Sequence, residues 1–230
     1  EQERYFTALL KCLDPDAGKA AAKKDVRVSI NSFFDDKPLE LKEDVRAGKM
    51  EDYVSPLFYA PNVSWLVQRN GMHPRNSLMI SLNASEGNHM HANGISMELY
   101  GKGYVLGPDA GIGLYLYSGL DYAEYYSQFP SHNTVCVDGI SNYPVMKSNH
   151  SFDLLSCFPA SSAAMAVKEK FPSVTYSDVY FREPESRSDQ TRMMSIVTTG
   201  PETGYYVDVF RSRKERGGDK MHDYFYHNLG

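Results

Sequence analysis

The sequence of 230 residues is poor in cysteine, in surplus positive charge and in long apolar runs. Its three cysteines are Cys12, Cys136 and Cys157, and their number and spacing exclude a disulfide framework and a zinc ribbon. Lysine and arginine number 24 against 29 acidic residues, and the net charge of -5 argues against a nucleic-acid partner. No apolar run approaches the roughly 18 residues that a membrane-spanning helix needs.

The composition is that of a chain that folds around its own core. Hydrophobic residues make up 42% and charged residues 23%, which excludes wholesale disorder. The length suits one domain, or one domain with a short appendage. The sequence starts at Glu1 without an initiator methionine and stops at Gly230 after a strand-like stretch, so we expect it to be a piece of a longer protein.

Residues 1–55 are predicted to form a helical segment followed by a connector. Tyr5, Leu9 and Leu13 recur at helical spacing, and residues 17–24 are rich in alanine, which favours a helix. Asp14-Pro15-Asp16 separates these two pieces. Residues 35–55 are charged and irregular, which is typical of a long connector.

Residues 56–230 are predicted to form an antiparallel β-sandwich. Apolar residues there alternate with polar or smaller ones, as a strand with one buried face requires. The runs are Val63, Trp65 and Val67; Leu78, Ile80 and Leu82; Ile95, Met97 and Leu99; Val135 and Val137; Val207 and Val209. Turn signals such as Asn70-Gly71 and Asp138-Gly139 separate the runs, with no helices between them. The expected fold is therefore mainly β, with a short N-terminal helical segment.

A histidine pair precedes one of the predicted strands. The stretch Asn88-His89-Met90-His91-Ala92-Asn93-Gly94 leads directly into Ile95-Ser96-Met97-Glu98-Leu99. If the strand includes the pair, His89 and His91 share a parity and point to the same face. Their backbones then stand roughly 7 Å apart, and the ring nitrogens can converge on one ion or one substrate.

Two further side chains complete a candidate ligand set. Asp109 follows a strand predicted over residues 103–106, and His132 opens a strand predicted over residues 132–137. Two histidines and one aspartate are typical ligands of a zinc-class ion that keeps one position open for water or substrate. Spacing alone leaves other interpretations open, since an HxH pair occurs by chance. Asp109 is equally a turn residue beside Pro108, and His132 is equally a strand-edge cap.

The order of these motifs resembles the heparinase II/III-like family of polysaccharide lyases. The HxH pair and its strand are followed by Gly107-Pro108-Asp109-Ala110-Gly111, a tyrosine-rich loop, and His132-Asn133-Thr134-Val135 with Asp138-Gly139 behind it. The resemblance runs from about residue 62 to the C-terminus. It implies an N-terminal α/α toroid packed against a central antiparallel β-sandwich, with the active cleft between them. We expect the toroid to lie outside this chain, as its partner in the same protein.

The resemblance also implies roles for single residues. His91, Asp109 and His132 are expected to hold a zinc ion, and His89 to face the cleft as a catalytic residue beside the substrate. The family's catalytic tyrosine and further histidines come from the toroid. A lyase removes the weakly acidic C5 proton of a uronic acid, so donors or cations must stabilise the developing charge. We favour a zinc ion that fixes the loop presenting His89 over a directly electrostatic role.

A loop over residues 115–128 contains five tyrosines, which can stack on sugar rings and donate hydrogen bonds. Tyr122 and Tyr126 are the candidate catalytic or substrate contacts because they are nearest to His132 in sequence; a partly buried aromatic loop is the alternative. Asn88 and Asn93 are candidate substrate-binding residues. Asn93 departs from the family, where an acidic residue is frequent at that position, and it supplies no negative charge.

Residues 211–220 are rich in arginine, lysine and glycine. They are predicted to form a mobile hairpin loop whose charges are a solvated tip, with a polyanion clamp as the alternative.

The expected function is that of the β-domain of a polysaccharide lyase, which cleaves a uronic-acid-containing polysaccharide by β-elimination and is inactive as this piece alone. The partners are an acidic polysaccharide or oligosaccharide and the toroid, with no nucleic acid and no membrane span. A periplasmic or extracellular location in a bacterium is implied by the resemblance. The alternatives are a carbohydrate-binding or structural β-sandwich without catalysis, and a metal-dependent glycan hydrolase.

Overall fold

The computed structural model describes residues 55–73, 75–88, 90–110, 120–141, 147–160, 171–217 and 220–229. These residues belong to one compact unit. The helical segment and connector predicted over residues 1–55 lie outside the described ranges, apart from Ser55. Within those ranges no helix has the length and apolar character that crossing a bilayer requires.

Thirteen strands occur in the described part of the chain. In chain order they are β1 Leu57–Ala60, β2 Trp65–Arg69, β3 Leu78–Asn83, β4 Ser85–Asn88, β5 Ser96–Gly101, β6 Tyr104–Gly107, β7 Val135–Val137, β8 Lys147–His150, β9 Asp153–Phe158, β10 Val174–Arg182, β11 Asp189–Gly200, β12 Thr203–Arg213 and β13 His222–Tyr224. The helical elements are short: 3-10 turns at Pro61–Val63 and Phe129–Ser131, and a π-helical turn at Tyr122–Tyr126.

The strands form two larger and two smaller antiparallel sheets. The five-stranded sheet has the order β1-β2-β3-β5-β6, and the four-stranded sheet has the order β12-β11-β10-β9. The pairs β13-β7 and β4-β8 form the smaller sheets. Nearly all neighbours in the larger sheets are consecutive along the chain, as short turns between antiparallel strands allow. The prediction of a mainly β, antiparallel fold is confirmed.

The two larger sheets pack face to face across one core. Leu66, Ile80 and Leu82 from the five-stranded sheet are fully buried in the same cluster as Phe181 and Ile196 from the four-stranded sheet. The side-chain amide of Gln68 also donates across this interface to the carbonyl of Met194 at 3.2 Å. The alternating apolar residues of β3 thus point inward, as their period of two predicts.

Two predicted strands begin later than the alternation suggested. Val63 lies in a 3-10 turn, because Pro61 starts that turn and Ser64 ends it in a left-handed conformation with φ of 47°. His132 ends the turn Phe129–Ser131, where its N–H bonds to the carbonyl of Phe129 and not to a neighbouring strand. Strand β7 therefore starts at Val135, and His132 stands on the approach to it.

Candidate metal centre

Three chain segments meet at the candidate site. His91 lies in the connection between β4 and β5, and Asp109 follows β6 after Pro108. His132 precedes β7. Because β5 and β6 are hydrogen-bonded neighbours, the connection into β5 and the exit from β6 come to the same region. His91 thus lies outside β5. The condition under which His89 and His91 were expected to share one face of a strand is not met.

Asp109 and His132 form the closest contact of the site. Oδ1 of Asp109 lies 2.7 Å from Nδ1 of His132, and the hydroxyl of Ser96 donates to Oδ2. The imidazole of His132 is completely buried and the carboxylate is 15% exposed. An ionised carboxylate only accepts hydrogen bonds, so Nδ1 carries the ring proton and Nε2 is left with a free electron pair.

The ring of His91 stacks on that of His132. Their centroids are 4.7 Å apart with an interplanar angle of 12°. On another side His91 meets the ring of Tyr122 edge-on, at 6.4 Å and 85°. The two imidazoles are therefore fixed side by side by contacts with a carboxylate and an aromatic ring.

Both imidazoles have a buried nitrogen without a hydrogen-bond partner in the described part of the chain. These atoms are Nδ1 of His91 and Nε2 of His132. The pKa of His91 is lowered to about 4, mainly by burial and secondly by its interaction with His132, while the charge of Asp109 opposes the shift. His91 is thus neutral near pH 7, which is the form that binds a metal ion.

The residues fit a zinc-class cation in donor type and in burial. Two imidazoles and a carboxylate are ordinary zinc ligands, and buried unpartnered nitrogens lose free energy unless something binds them. Among the described residues, no group of three or more histidine, cysteine, aspartate or glutamate side chains is arranged to hold an ion. In this geometry Asp109 orients His132, as carboxylates do beyond metal-bound histidines. The predicted three-residue ligand set stays a prediction.

The other predicted site residues are placed to different extents. His89 lies outside the described residues, and Asn88 is the last residue of β4. Asn93 is 5% exposed, and its Oδ1 atom has no hydrogen-bond partner among the described residues. Tyr122 is buried against His91, whereas Tyr126 is half-buried and packs edge-on against Tyr125 at 5.3 Å.

Asn133 is a structural residue of the site that sequence reasoning missed. Its Nδ2 donates to the carbonyls of Met97 at 3.0 Å and Pro108 at 2.8 Å. Its Oδ1 accepts from the backbone N–H of His227 at 2.6 Å and lies 3.1 Å from Nδ1 of that residue. The buried amide of Asn133, the residue after His132, therefore joins β5, the residue before Asp109 and the backbone of His227. The signal was present as the asparagine of His-Asn-Thr-Val.

The same amide determines which nitrogen of His227 carries the proton. Because both N–H groups of Asn133 are used by carbonyls, its oxygen must accept, and Nδ1 of His227 must donate. Nε2 of His227 then faces the hydroxyl of Tyr125 at 3.4 Å as an acceptor. A histidine and a half-exposed tyrosine thus adjoin the centre through Asn133.

Arg192 is the second residue that the sequence did not reveal. Its side chain is completely buried, yet its Nη1 atom donates to the carbonyls of Ile95 at 2.6 Å and Asn133 at 2.5 Å. Its other nitrogens bind the carboxylate of Asp208 at 3.1 and 2.7 Å, and Nη2 also contacts the hydroxyl of Tyr224. A buried cation in the four-stranded sheet thereby anchors the segments that carry His91 and His132.

The same region of the chain matches a known protein family. The model of the heparinase II/III-like C-terminal domain matches residues 54–206, about two thirds of the sequence. The chain belongs to this family. The matched span contains His91, Asp109 and His132.

Individual relatives agree with the heparinase II/III-like assignment. The chain is 28% identical over 190 residues to an endo-acting ulvan lyase of Formosa agariphila, and the match covers 78% of the chain and 23% of that protein. The heparan sulfate lyase HepC of Pedobacter heparinus has the same fold over 71% of the chain and 23% of its own, with 18% identity and a TM-score of 0.51. A heparinase III gene product matches 93% of the chain and 28% of its own, with 16% identity and a TM-score of 0.56. The chain thus spans about a quarter of each relative.

Proposed function

We propose that this heparinase II/III-like chain is the β-domain of a polysaccharide lyase that cleaves uronic-acid-containing polysaccharide by β-elimination. In this proposal it carries a zinc site and part of the active cleft. The observation that supports it most is the meeting of His91, Asp109 and His132 from three separate segments, with two buried nitrogens that have no hydrogen-bond partner among the described residues. Such nitrogens need a cation or a donor, and the family's named relatives are lyases.

His91, His132 and Asp109 are the proposed zinc ligands; in the metal-free geometry Asp109 instead holds Nδ1 of His132, so it would have to exchange that contact to bind the ion. When bound, zinc supplies positive charge that fixes the loop after β4 and stabilises negative charge nearby. The protein's own contribution is to hold His91 neutral and both imidazoles oriented. Burial keeps His91 neutral, and Asp109 holds the proton of His132 on Nδ1.

The cleft residues have separate proposed tasks in β-elimination. A base removes the C5 proton of the uronic acid, the C5–H electrons form the C4–C5 double bond, and the glycosidic C4–O bond breaks. We assign His89 to the substrate's acidic group or its proton, with Asn88 and Asn93 as hydrogen-bonding residues. Tyr126 and Tyr122 are the proposed tyrosine contacts. Because Tyr122 is buried against His91 in this structure, we propose that it acts through its contact with that ring.

The remainder of the cleft is proposed to come from an α/α toroid of the same protein, so the piece alone is expected to be inactive. The match to only a quarter of each relative is consistent with such a partner. From the resemblance to this family of lyases, we propose a periplasmic or extracellular location in a bacterium.

The test is an assay of the full-length protein on ulvan and on heparan sulfate. Elimination yields an unsaturated uronic acid at the new non-reducing end, which is detected by its ultraviolet absorbance. Appearance of that absorbance together with new reducing ends supports the proposal. New reducing ends without the absorbance identify a hydrolase, and binding without either identifies a carbohydrate-binding module; both results would overturn it.

A further inference from the structure

A second concave site lies at the end of the four-stranded sheet that carries the turn between β10 and β11. The turn between β10 and β11 and the chain after β12 enclose a cavity of about 510 Å³. Four basic and two acidic side chains line it: Arg182, Arg187, Lys214, Arg216, Glu185 and Glu215. The lining carries two more positive than negative charges, in a chain whose net charge is -5. Arg182 and Lys214 are each paired with a carboxylate outside the lining, Asp189 and Asp138, so Arg187 and Arg216 carry the positive charge that is left for a ligand.

Two of these cations are held in place by carboxylates behind them. Nη1 of Arg182 lies 2.5 Å from Asp189, and Nζ of Lys214 lies 2.6 Å from Asp138. Asp138 is itself fixed by the backbone N–H of Met221 at 2.8 Å. These pairs limit the freedom of both side chains, so less conformational entropy is lost when a ligand binds.

The other two arginines are available to a ligand. Arg187 and Arg216 are exposed, and neither has an ion-pair partner in the described part of the chain. Glu215 is paired with Arg213 at 3.3 Å. Guanidinium groups bind carboxylate and sulfate oxygens through two parallel hydrogen bonds, so two free arginines on one cavity favour an anionic ligand.

The turn that presents Arg187 is built on buried polar groups. The carboxylate of Glu183, which is 1% exposed, accepts from the backbone N–H groups of Glu185 at 3.0 Å and Ser186 at 2.5 Å. Arg187 has φ of 56°, a left-handed conformation in which glycine or asparagine is usual. A long charged side chain at such a position suggests a function for its guanidinium.

The cavity and the candidate metal centre are connected by β7. His132 precedes this strand and Asp138, which holds Lys214, follows it. Six residues of chain span at most about 20 Å, which is the upper limit on the separation of the backbones of His132 and Asp138.

We propose that this cavity is a second subsite for the polysaccharide, which binds the carboxylate or sulfate groups of sugars outside the cleavage position. Arg187 and Arg216 contact the anionic groups, while Arg182 and Lys214 stay paired with Asp189 and Asp138 and form the wall of the cavity. The identity of the ligand rests on the proposed lyase function; the anion-binding property does not. The loop predicted over residues 211–220 starts later, because Arg211–Arg213 belong to β12, and the proposal adopts the polyanion-clamp alternative for the residues that follow.

The experiment compares two charge-matched double variants of the full-length protein. One carries Arg187→Asn and Arg216→Gln, in which asparagine tolerates the left-handed backbone. The control carries Arg75→Gln and Arg211→Gln, two exposed arginines that do not line the cavity. Both contain His89→Ala to limit turnover, and thermal unfolding shows that both are folded. Calorimetry then measures binding of ulvan, and of a sulfate-free polyuronate to separate sulfate from carboxylate recognition.

We expect the cavity variant to bind at least one polymer roughly fivefold more weakly than the control, as the loss of two exposed charge contacts allows. With His89 restored, KM for the polymer rises while kcat on short oligosaccharides is unchanged. Equal binding by the two variants, or an equal loss in both, would overturn the subsite. Failure of the lyase proposal shows separately, as absence of unsaturated product from the unaltered protein.

Discussion

The carboxylate of Asp109 lies 2.7 Å from Nδ1 of His132, although 23 positions separate the two residues in the sequence. This contact leaves Nε2 of His132 as the ring nitrogen without a hydrogen-bond partner among the described residues, and the ring of His91, whose Nδ1 also lacks one there, stacks on it with centroids 4.7 Å apart. The site therefore contains two imidazole nitrogens that could bind a metal ion and that have no hydrogen-bond partner in the described chain. Several measurable properties depend on this arrangement.

The first prediction concerns stability in acid. His91 binds a proton near pH 6.5 in the unfolded chain but only near 4 in the folded, metal-free protein. The unfolded state thus takes up more protons in that window, and the free energy of unfolding falls as the pH is lowered, by at most about 1.4 kcal/mol per pH unit from this group. Urea unfolding of the metal-free protein across that range measures the slope.

The variant His91→Gln should flatten that part of the profile, because the group that resists protonation is gone. His73→Gln is the matched control, since His73 is exposed. Indistinguishable slopes in the original protein and His91→Gln would show that His91 is not held in its neutral form.

The second prediction compares a buried and an exposed ion pair. Arg192 is fully buried and its partner Asp208 is 20% exposed, whereas Arg182 and Asp189 are 50% and 34% exposed. Replacing Arg192 by methionine leaves a carboxylate and two carbonyls without their donor, and we expect a loss of about 3–5 kcal/mol in the free energy of unfolding. Arg182→Met should cost at most about 1 kcal/mol.

Arg192 is also expected to affect metal binding at the candidate centre. Because it holds the carbonyls of Ile95 and Asn133, Arg192→Lys should weaken zinc binding even at a temperature where the variant is fully folded. Zinc titration against a competing chelator measures this. A variant that is less stable but binds zinc with unchanged affinity would limit Arg192 to a role in folding.

The third prediction uses the orientation of one amide. Asn133→Asp has nearly the same shape but places an oxygen against the carbonyls of Met97 and Pro108, where Nδ2 now donates. We expect it to lower the free energy of unfolding by about 2–4 kcal/mol. The exposed Asn228→Asp serves as the control. Equal stability of the two variants in chemical unfolding would show that Asn133 does not make these bonds.

The fourth prediction separates the two histidines of the HxH pair. His89→Ala in the full-length protein should retain zinc and lose lyase activity, because we assign this residue to the substrate. His91→Ala should lose both. Metal analysis and the ultraviolet assay are done on the same samples. Loss of zinc in His89→Ala would mean that the two histidines are assigned the wrong way round.

The sequence predicted the strands better than it predicted the residues that hold the candidate site in place, Asn133 and Arg192. Period-two patterns such as Leu78, Ile80 and Leu82 mark β3 because each alternate side chain enters the core. The pattern misplaced the start of β2, since Val63 fits the alternation but Pro61 turns the chain first. Local geometry of that kind is set by backbone hydrogen bonds that an apolar pattern does not record.

The residues of the candidate site were likewise only partly predictable from the sequence. The motifs containing His91, Asp109 and His132 could be found from residue type and order, because donor chemistry is local to each side chain. Arg192 could not, since an arginine within a strand pattern reads as solvent-exposed, and its burial depends on partners contributed by distant strands. The proton position on His227 likewise follows from three-dimensional contacts of Asn133.

Zinc stoichiometry tests the central claim most directly. The full-length protein, dialysed against zinc and then buffer, is analysed for metal beside His91→Ala, Asp109→Ala and His132→Ala, with His73→Ala as the control. We predict about one zinc per chain attributable to this site in the original protein and in the control, and its loss in each of the three variants. Full zinc content in all three variants, or no zinc in the original protein, would contradict the account.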